Sequence, residues 1–360
     1  MVTRSNNRPS IEAGIKKIPE AAAIHWHYVD LPRWAMFWKK GPRGMRLYYL
    51  MWQVAALREM RRLHKRFDFV YVWHVTIANA WIGSLAAFAG PPFIYGPVGG
   101  GVRAPLRLIP SLGLRGGLYE WARETVRLAA RYFNPLARAS WRRSRLILAQ
   151  NKETAAWFPP RYRSRVKIFQ HAILATRPEV DQQRSDRNHT AVVAARLVPW
   201  KGITLAIQAV EMTTRWRLII CGSGPDEKRL KRIVRQKGLQ ERVEFRGRIE
   251  QDELFQVLAT EADAFIFPSL HDDAPLAVAE AVVAGLPIIC LDIGGPPLIA
   301  SGQGLTVDTR STTSVVVREL ARALERAGEF RVPSEEPGEH LLLENRVTEL
   351  RRIIEEAPGG

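Results

Sequence analysis

Cysteine is nearly absent: Cys221 and Cys290 are the only two in 360 residues. Each ends an apolar run, with neither CxxC spacing nor histidine neighbours. That argues against a disulfide framework or a thiolate metal site and leaves two inert core thiols in a reducing compartment. The opening residues MVTRSNNRPSIEAGIKK hold no apolar run, which gives the expectation that there is no signal peptide. Acidic residues are scarce in the first half. Residues 1–180 carry 30 Lys+Arg against 9 Asp+Glu, net +21, whereas residues 181–360 carry 23 against 27, net −4. A basic field of that kind suits nucleic acid, an anionic membrane face or an acidic substrate, or is simply solvated. Charge is missing altogether from Phe69 to Val102, a stretch long enough to suggest a membrane span. His74, Thr76, Asn79, Ser84, Pro91-Pro92 and a glycine cluster instead divide it into strand, helix, turn and strand, a buried βαβ unit. No P-loop is present, and no GxGxxG followed by an acidic residue about twenty positions on, which argues against a dinucleotide oxidoreductase.

What is there is an alternation of apolar runs and amphipathic segments long enough for two domains. Met1 to Thr3 reads as the tail of a strand, SNNRPSIEAGIKK as a turn and short helix, and Ala23 to Val29 as a strand. Next, Trp34, Phe37, Trp38, Tyr48, Tyr49 and Trp52 interleave with Arg33, Lys39, Lys40, Arg43 and Arg46, and Met45 to Lys65 has helical spacing. This mixture fits an interfacial membrane contact, single-stranded nucleic acid, or an ordinary helix whose aromatics are core. His74 ends the run FVYVWHV, either as a ligand group at a strand end or as a satisfied core residue. FIYGPVGGGVRAP ends in Gly99, Gly100 and Gly101, which let backbone approach a ligand closely but name none. Leu118 to Arg145 reads as helix with a basic face at Arg123, Arg127, Arg131, Arg138, Arg142 and Arg145. Leu146 to Ala149 and Val166 to Phe169 read as short strands. Residues 175–189 are polar and aperiodic, and the charge balance changes sign there, so the domain boundary falls between 1–175 and 190–330, with 331–360 as a tail and closing helix (His340 to Glu356).

After the boundary the order is TAVVAARL, helix Ile203 to Met212, WRLIICG, helix Asp226 to Lys237, RVEFRG, helix Gln251 to Ala259. This alternation predicts a parallel, doubly wound α/β sheet with ligands at the carboxyl ends of its strands. The densest stretch is Ala262 to Gly295. It reads as strand Asp263 to Phe267, a polar loop to Ala274, a helix opening at Pro275, a stop at Gly285, and strand Pro287 to Leu291. Asp272 before the helix and Glu280 two turns inside it can both face a ligand over the helix N-terminus, which suits phosphate. The alternative is a helix cap and an exposed glutamate.

Four motifs in the second half, ARLVPWKG, ICGSGPDEKRL, VEFRGRIEQDEL and FPSLHDDAPLAVAEAVVAGLPIICLDIGG, resemble the donor-binding domain of the retaining GT-B glycosyltransferases of family 4 (group 1). YGPVGGGVRAP and the strand ending in His74 look like the acceptor domain of relatives from bacterial polysaccharide synthesis. The resemblance implies two Rossmann-like doubly wound domains facing across a cleft, the first lacking its first βα unit. It further implies that Arg196 and Lys201 hold the donor diphosphate and stabilise the leaving group. By the same resemblance Glu280 takes the ribose hydroxyls and Asp272, standing where a glutamate is usual, meets the donor sugar. Backbone at Pro275, Leu276 and Ala277 meets phosphate, Arg248 and Leu254 border the base, and Gly222 and Gly224 shape the wall. His74 and Gly99 to Gly101 would face donor sugar and acceptor. No metal or other cofactor is implied, and His271 to Asp273 is not a metal-binding DxD.

The function implied is retaining transfer of a sugar from a nucleotide diphosphate sugar to a lipid-linked or saccharide acceptor in cell-surface polysaccharide synthesis. The expected place is the cytoplasm, peripherally on the inner face of the membrane through the basic half, with nucleic acid not a partner. The alternative is a catalytically impaired nucleotide-binding protein of the same fold.

Overall fold

A strand segment covered on both faces must be apolar along its whole length, and AVVA, LIIC, AFIF and IICL meet that condition. The structure, a computed structural model, describes all residues except Lys17, 37–43, Ala78, 178–187, 331–335 and 358–360, and leaves the side chains at 19, 20, 33 and 46 undescribed. The aromatic and basic readings at Phe37, Trp38, Lys39, Lys40 and Arg43, the side chains of Arg33 and Arg46, and most of the polar boundary fall outside it.

The chain divides into two compact units, Met1–Val98 with Ala130–Ile147 and Ala357–Gly360, and Gly99–Ala129 with Leu148–Glu356. In the first, β1 (Val2–Thr3) pairs in parallel with β2 (His27–Tyr28), on either side of α1 (Arg8–Ile15). The strand read over Ala23 to Val29 shrinks to two residues, because Pro19–Ala23 is a 3-10 turn. Helix α2 (Met45–Phe67) follows and buries Tyr48, Tyr49, Ala56 and Leu63. Strand β3 (Val72–His74) then pairs in parallel with β4 (Phe93–Val98). The helix read between these strands is only a 3-10 turn, Leu85–Phe88, capped by Ser84 Oγ accepting from the Ala86 N–H at 3.1 Å. Gly83 and Gly90, both with positive φ, leave too short a run between them to nucleate an α-helix.

After β4 the chain enters the second unit and returns through the end of α3 (Gly113–Phe133), then α4 (Pro135–Arg143) and β5 (Ser144–Ala149), which lies next to β4. The single helix read over Leu118 to Arg145 is therefore two. Asn134 accepts from the Leu136 and Ala137 N–H groups at 3.0 and 3.1 Å, and Pro135 opens the new helix.

The second unit continues with α5 (Lys152–Trp157) and β6 (Val166–Ile168). Six parallel strands follow: β7 (Thr190–Ala194), β8 (Arg217–Cys221), β9 (Val243–Gly247), β10 (Ala264–Phe267), β11 (Ile288–Leu291) and β12 (Gly304–Val307), in the order β12-β11-β10-β7-β8-β9. Between them run α6 (Ile203–Glu211), α7 (Glu227–Gln236), α8 (Gln251–Thr260), α9 (Leu276–Val283) and the short α10 (Pro296–Ile299), and after β12 come α11 (Thr313–Ala327) and α12 (Leu343–Glu355). Side chains alternate between faces as the strand period requires. Val193, Ile220, Ile266 and Ile289 pack with α6 and α11, whereas Val192, Ile219, Phe265 and Ile288 pack with α8 and α9. Strand order reverses between β7 and β10, so the loops leaving their carboxyl ends diverge and open a crevice there.

Phe265 is fully buried among the residues of α8 and α9. Phe265→Ala is expected to lower the unfolding free energy of this unit by about 3–5 kcal/mol in urea titration.

Candidate functional site

The loops at the carboxyl edge of the six-stranded sheet lie closer together than a side chain permits. Gly222 has φ +144, and a Cβ there would stand 1.9 Å from the Ala195 carbonyl; at Gly202, φ +69, it would stand 1.9 Å from the Pro268 carbonyl. Hydrogen bonds close the seam: the Ala195 N–H donates to Cys221 O (3.0 Å), Leu197 N–H to Ser223 O (2.9 Å) and Gly222 N–H to Gly247 O (2.6 Å). Under this seam lies a cavity of about 600 Å3 lined by Arg196, Gly222, Gly224, Arg248, Leu254 and Ala277, among others. The six come from five separate loops and helix starts and are brought into one wall. Nearby, Pro275 caps the N-terminus of α9 and the Leu276 and Ala277 N–H groups precede its first internal bond, Val278 N–H to Pro275 O. A cavity of this size with free backbone donors and an arginine accommodates a phosphorylated small molecule.

Glu280, one turn along α9, is buried and accepts from Gln251 Nε2 at 2.7 Å. Burial raises its pKa above the ordinary 4.5, partly offset by the Gln251 amide. Sequence reading had paired it with a ligand and missed Gln251. Lys201 forms an ion pair with Asp272 and lies 5.0 Å over the Phe267 ring. Both charged groups are mostly covered, so neither is a mere surface charge. His171, which sequence reading overlooked, feels both Asp273 and Asp272; partial desolvation pushes its imidazole below the usual pKa and the two carboxylates pull it back up.

Asp273, given no ligand role in the sequence reading, organises the glycine loop. Its Oδ2 accepts from the Gly100 N–H at 2.8 Å, and its Oδ1 from Asn151 Nδ2 at 3.0 Å and Thr154 Oγ1 at 3.3 Å. Thr154 Oγ1 also accepts from the Gly101 N–H at 3.1 Å. Gly99, Gly100 and Gly101 are thereby fixed against the loop that follows β10. Trp200 is stacked between Tyr119 (4.6 Å) and His271 (5.7 Å), and His271 Nε2 lies 2.6 Å from Glu120 Oε1. That sandwich joins residues far apart in the chain, and no local pattern announces it.

His74 lies in the first unit. Its Nε2 is 2.7 Å from Tyr49 Oη and 2.5 Å from the Thr76 carbonyl, and its Nδ1 is buried without a partner. Burial lowers its pKa, so the neutral imidazole is the form held there. It lines a mostly apolar cavity of about 810 Å3 with Tyr49, Trp52 and Trp73. The cysteines are free and buried, and burial pushes Cys221 and Cys290 up to about 11 and about 12, which suits inert core thiols. Among the described residues no group of three metal-ligating side chains gathers, and no helix is long and apolar enough to cross a membrane.

Residues 177–332 match the family model described as glycosyl transferases group 1. The chain is similar to the phosphatidylinositol N-acetylglucosaminyltransferase gpi3 subunit of Schizosaccharomyces pombe, 29% identical over 37% of this chain and 30% of that protein. It is also similar to the GDP-mannose:cellobiosyl-diphosphopolyprenol alpha-mannosyltransferase of Xanthomonas oryzae pv. oryzae, 33% identical over 35% of each. The matched part thus spans about a third of the length of these relatives. In fold the whole chain is similar to Anabaena Alr3699/HepE, solved in complex with UDP-glucose, with TM-score 0.55, 15% identity, and 98% and 97% of the two chains covered. The fold is that of the GT-B glycosyltransferases, α/β with parallel Rossmann-like sheets.

The raised Glu280 pKa has a pH consequence. A carboxyl raised by burial contributes stability in its protonated form, present below the ordinary carboxylate range and lost as the pH rises through the raised value. The stability of Glu280→Gln relative to wild type is therefore expected to increase between about pH 4 and about pH 7, read by urea unfolding across that interval.

Proposed function

We propose that the protein is a group 1 glycosyltransferase of the retaining family 4 type, moving a sugar from a nucleotide diphosphate donor to a lipid-linked or saccharide acceptor in cell-surface polysaccharide synthesis. The observation that carries this reading is the single cavity wall formed by Arg196, Gly222, Gly224, Arg248, Leu254 and Ala277 beside the open N-terminus of α9. In this reading the base lies against Leu254 and Arg248, and Glu280 takes the ribose hydroxyls. The diphosphate meets Arg196, Lys201 and the backbone at Pro275 to Ala277.

As the glycosidic bond breaks, negative charge grows on the departing diphosphate, and fixed cations stabilise that charge more than the ground state. The reading assigns this work to Arg196 and Lys201 and calls on no metal. Asp272 pairs with the Lys201 ammonium, and the reading sets it on the donor-sugar side. The acceptor hydroxyl attacks from the side the leaving group departs, so the anomeric configuration is kept. His74 and the Gly99–Gly101 loop serve the sugar and acceptor side. The first half's surplus of cations and relatives named for phosphatidylinositol and diphosphopolyprenol substrates support a lipid-linked acceptor met at the inner membrane face.

Release of nucleoside diphosphate from a panel of nucleotide sugars, with diphosphopolyprenol-linked saccharides as acceptors, tests the reading. Arg196→Ala and Lys201→Ala are each expected to lower kcat by about 10²–10³ with the fold intact, and the product anomer is expected to match the donor's. Absence of turnover with every donor, or variants as active as wild type, would contradict it.

A further inference from the structure

The first unit holds two sheet edges that meet no strand. β1 pairs only with β2, and β3 stands at the end of its sheet beside β4. The Met1 and Thr3 carbonyls accept from the His27 and Val29 N–H groups, both at 2.8 Å, so the Val2 N–H and C=O point away from β2. The Val72 N–H donates to the Pro92 carbonyl at 3.0 Å, so the N–H and C=O of Trp73 point away from β4. Val2 and Trp73 both line the cavity of about 810 Å3 described above, together with Ala56 and Leu63 of α2. Two buried side-chain nitrogens of the same lining, Gln53 Nε2 and His74 Nδ1, have no partner. Exposed edges are usually blunted by charge, proline or a bulge. Phe69 to Val75 carries neither charge nor proline, and Phe69, Trp73 and Val75 line this cavity while remaining exposed.

The second unit shows what such a position holds. There β7 is central: β8 and then β9 lie on one side, β10, β11 and β12 on the other, and the chain crosses from β9 to β10 through α8. In the first unit β1 and β2, joined by α1, match β8 and β9, joined by α7. The chain then crosses through α2 to β3 and β4, which match β10 and β11. Among the described residues no strand takes the place of β7, and the two edges that would flank it are those of Val2 and Trp73. β7 itself is apolar after its first residue and buried throughout. An acyl chain could fill the cavity but would leave the N–H and C=O groups of both edges unpaired, whereas a polypeptide strand pairs with both. Every strand of this chain, among the described residues, already lies in a sheet of its own, so a second copy has none to lend.

We propose that this cavity is a strand-binding slot. It takes one apolar segment of a partner polypeptide, about five residues long, extended and parallel to β1 and β3, and so joins the two sheets into one. The proposal concerns the first unit alone and goes beyond the transfer reading, which stands or falls on its own test.

The test is fluorescence anisotropy of a labelled peptide copying Thr190–Arg196, TAVVAAR, titrated with the full chain, followed by hydrogen exchange of the complex. The peptide is expected to bind at 1:1, and the Trp73 amide, open to exchange in the free chain, to become protected at least about tenfold. A peptide N-methylated at both valines, and so lacking one donor toward each edge, is expected to bind at least about tenfold more weakly. Trp73→Lys, which puts a charge on the exposed edge, is expected to weaken binding to a similar extent with an unchanged thermal midpoint in the absence of peptide. The methylated peptide decides the matter should that variant not fold. No binding at millimolar peptide, equal binding of the methylated peptide, or binding that leaves Trp73 unprotected overturns the proposal. So does binding of laurate in place of the peptide, which makes the cavity an acyl site. A wild-type dimer in sedimentation velocity that the peptide dissociates also overturns it, because the occupant is then a second copy.

Discussion

The site depends on backbone approaching backbone at the carboxyl edge of one parallel sheet. The loops leaving β7 and β8 touch where a Cβ at Gly222 would stand 1.9 Å from a carbonyl oxygen, and the loop after β10 touches the start of α6 in the same way at Gly202. Neither contact survives a side chain, and each is what lets residues from separate segments share a wall. The reversal of strand order between β7 and β10 supplies the opening, and the glycines supply the closeness. Arg196 and Ala277, 81 positions apart in sequence, line one cavity for that reason.

Carboxylates along the same edge divide the remaining work. Asp272 meets the Lys201 ammonium, its neighbour Asp273 holds the glycine loop through Gly100, Asn151 and Thr154, and Glu280 is buried against Gln251. Three acids within nine positions thus have three environments. In the proposed reaction this separation matters, because the cations must stay fixed before the donor arrives if they are to favour the charge that develops later. Asp272 keeps Lys201 in place without filling the cavity wall that Arg196 borders.

Much of this was legible in the sequence where information is local. Alternating apolar runs and helical segments marked the parallel sheet, and Ala262 to Gly295 announced strand, loop, capped helix and strand within a residue or two of their observed ends. The motifs likewise pointed to six residues that line the cavity. What escaped depends on contacts between distant segments. Nothing near Asp273 reveals that it will bind Gly100, and nothing near Trp200 reveals Tyr119 on one side and His271 on the other. Of the basic face read over Leu118 to Arg145, Arg123 and Arg127 are covered while Arg138 and Arg142 stay exposed, because periodicity locates a face and tertiary packing decides how much of it turns inward. The break at Asn134 was there to be seen, since an asparagine before a proline is a helix start.

The central claim is that the cavity at the carboxyl edge of the six-stranded sheet takes a nucleoside diphosphate. Calorimetric titration of UDP, GDP and ADP into wild type and Glu280→Ala tests it most directly. One nucleotide is expected to bind wild type with 1:1 stoichiometry, and the variant is expected to bind it at least about tenfold more weakly, a loss of about 1.4 kcal/mol. Binding of none of the three to wild type, or equal affinity in the variant, would contradict the account.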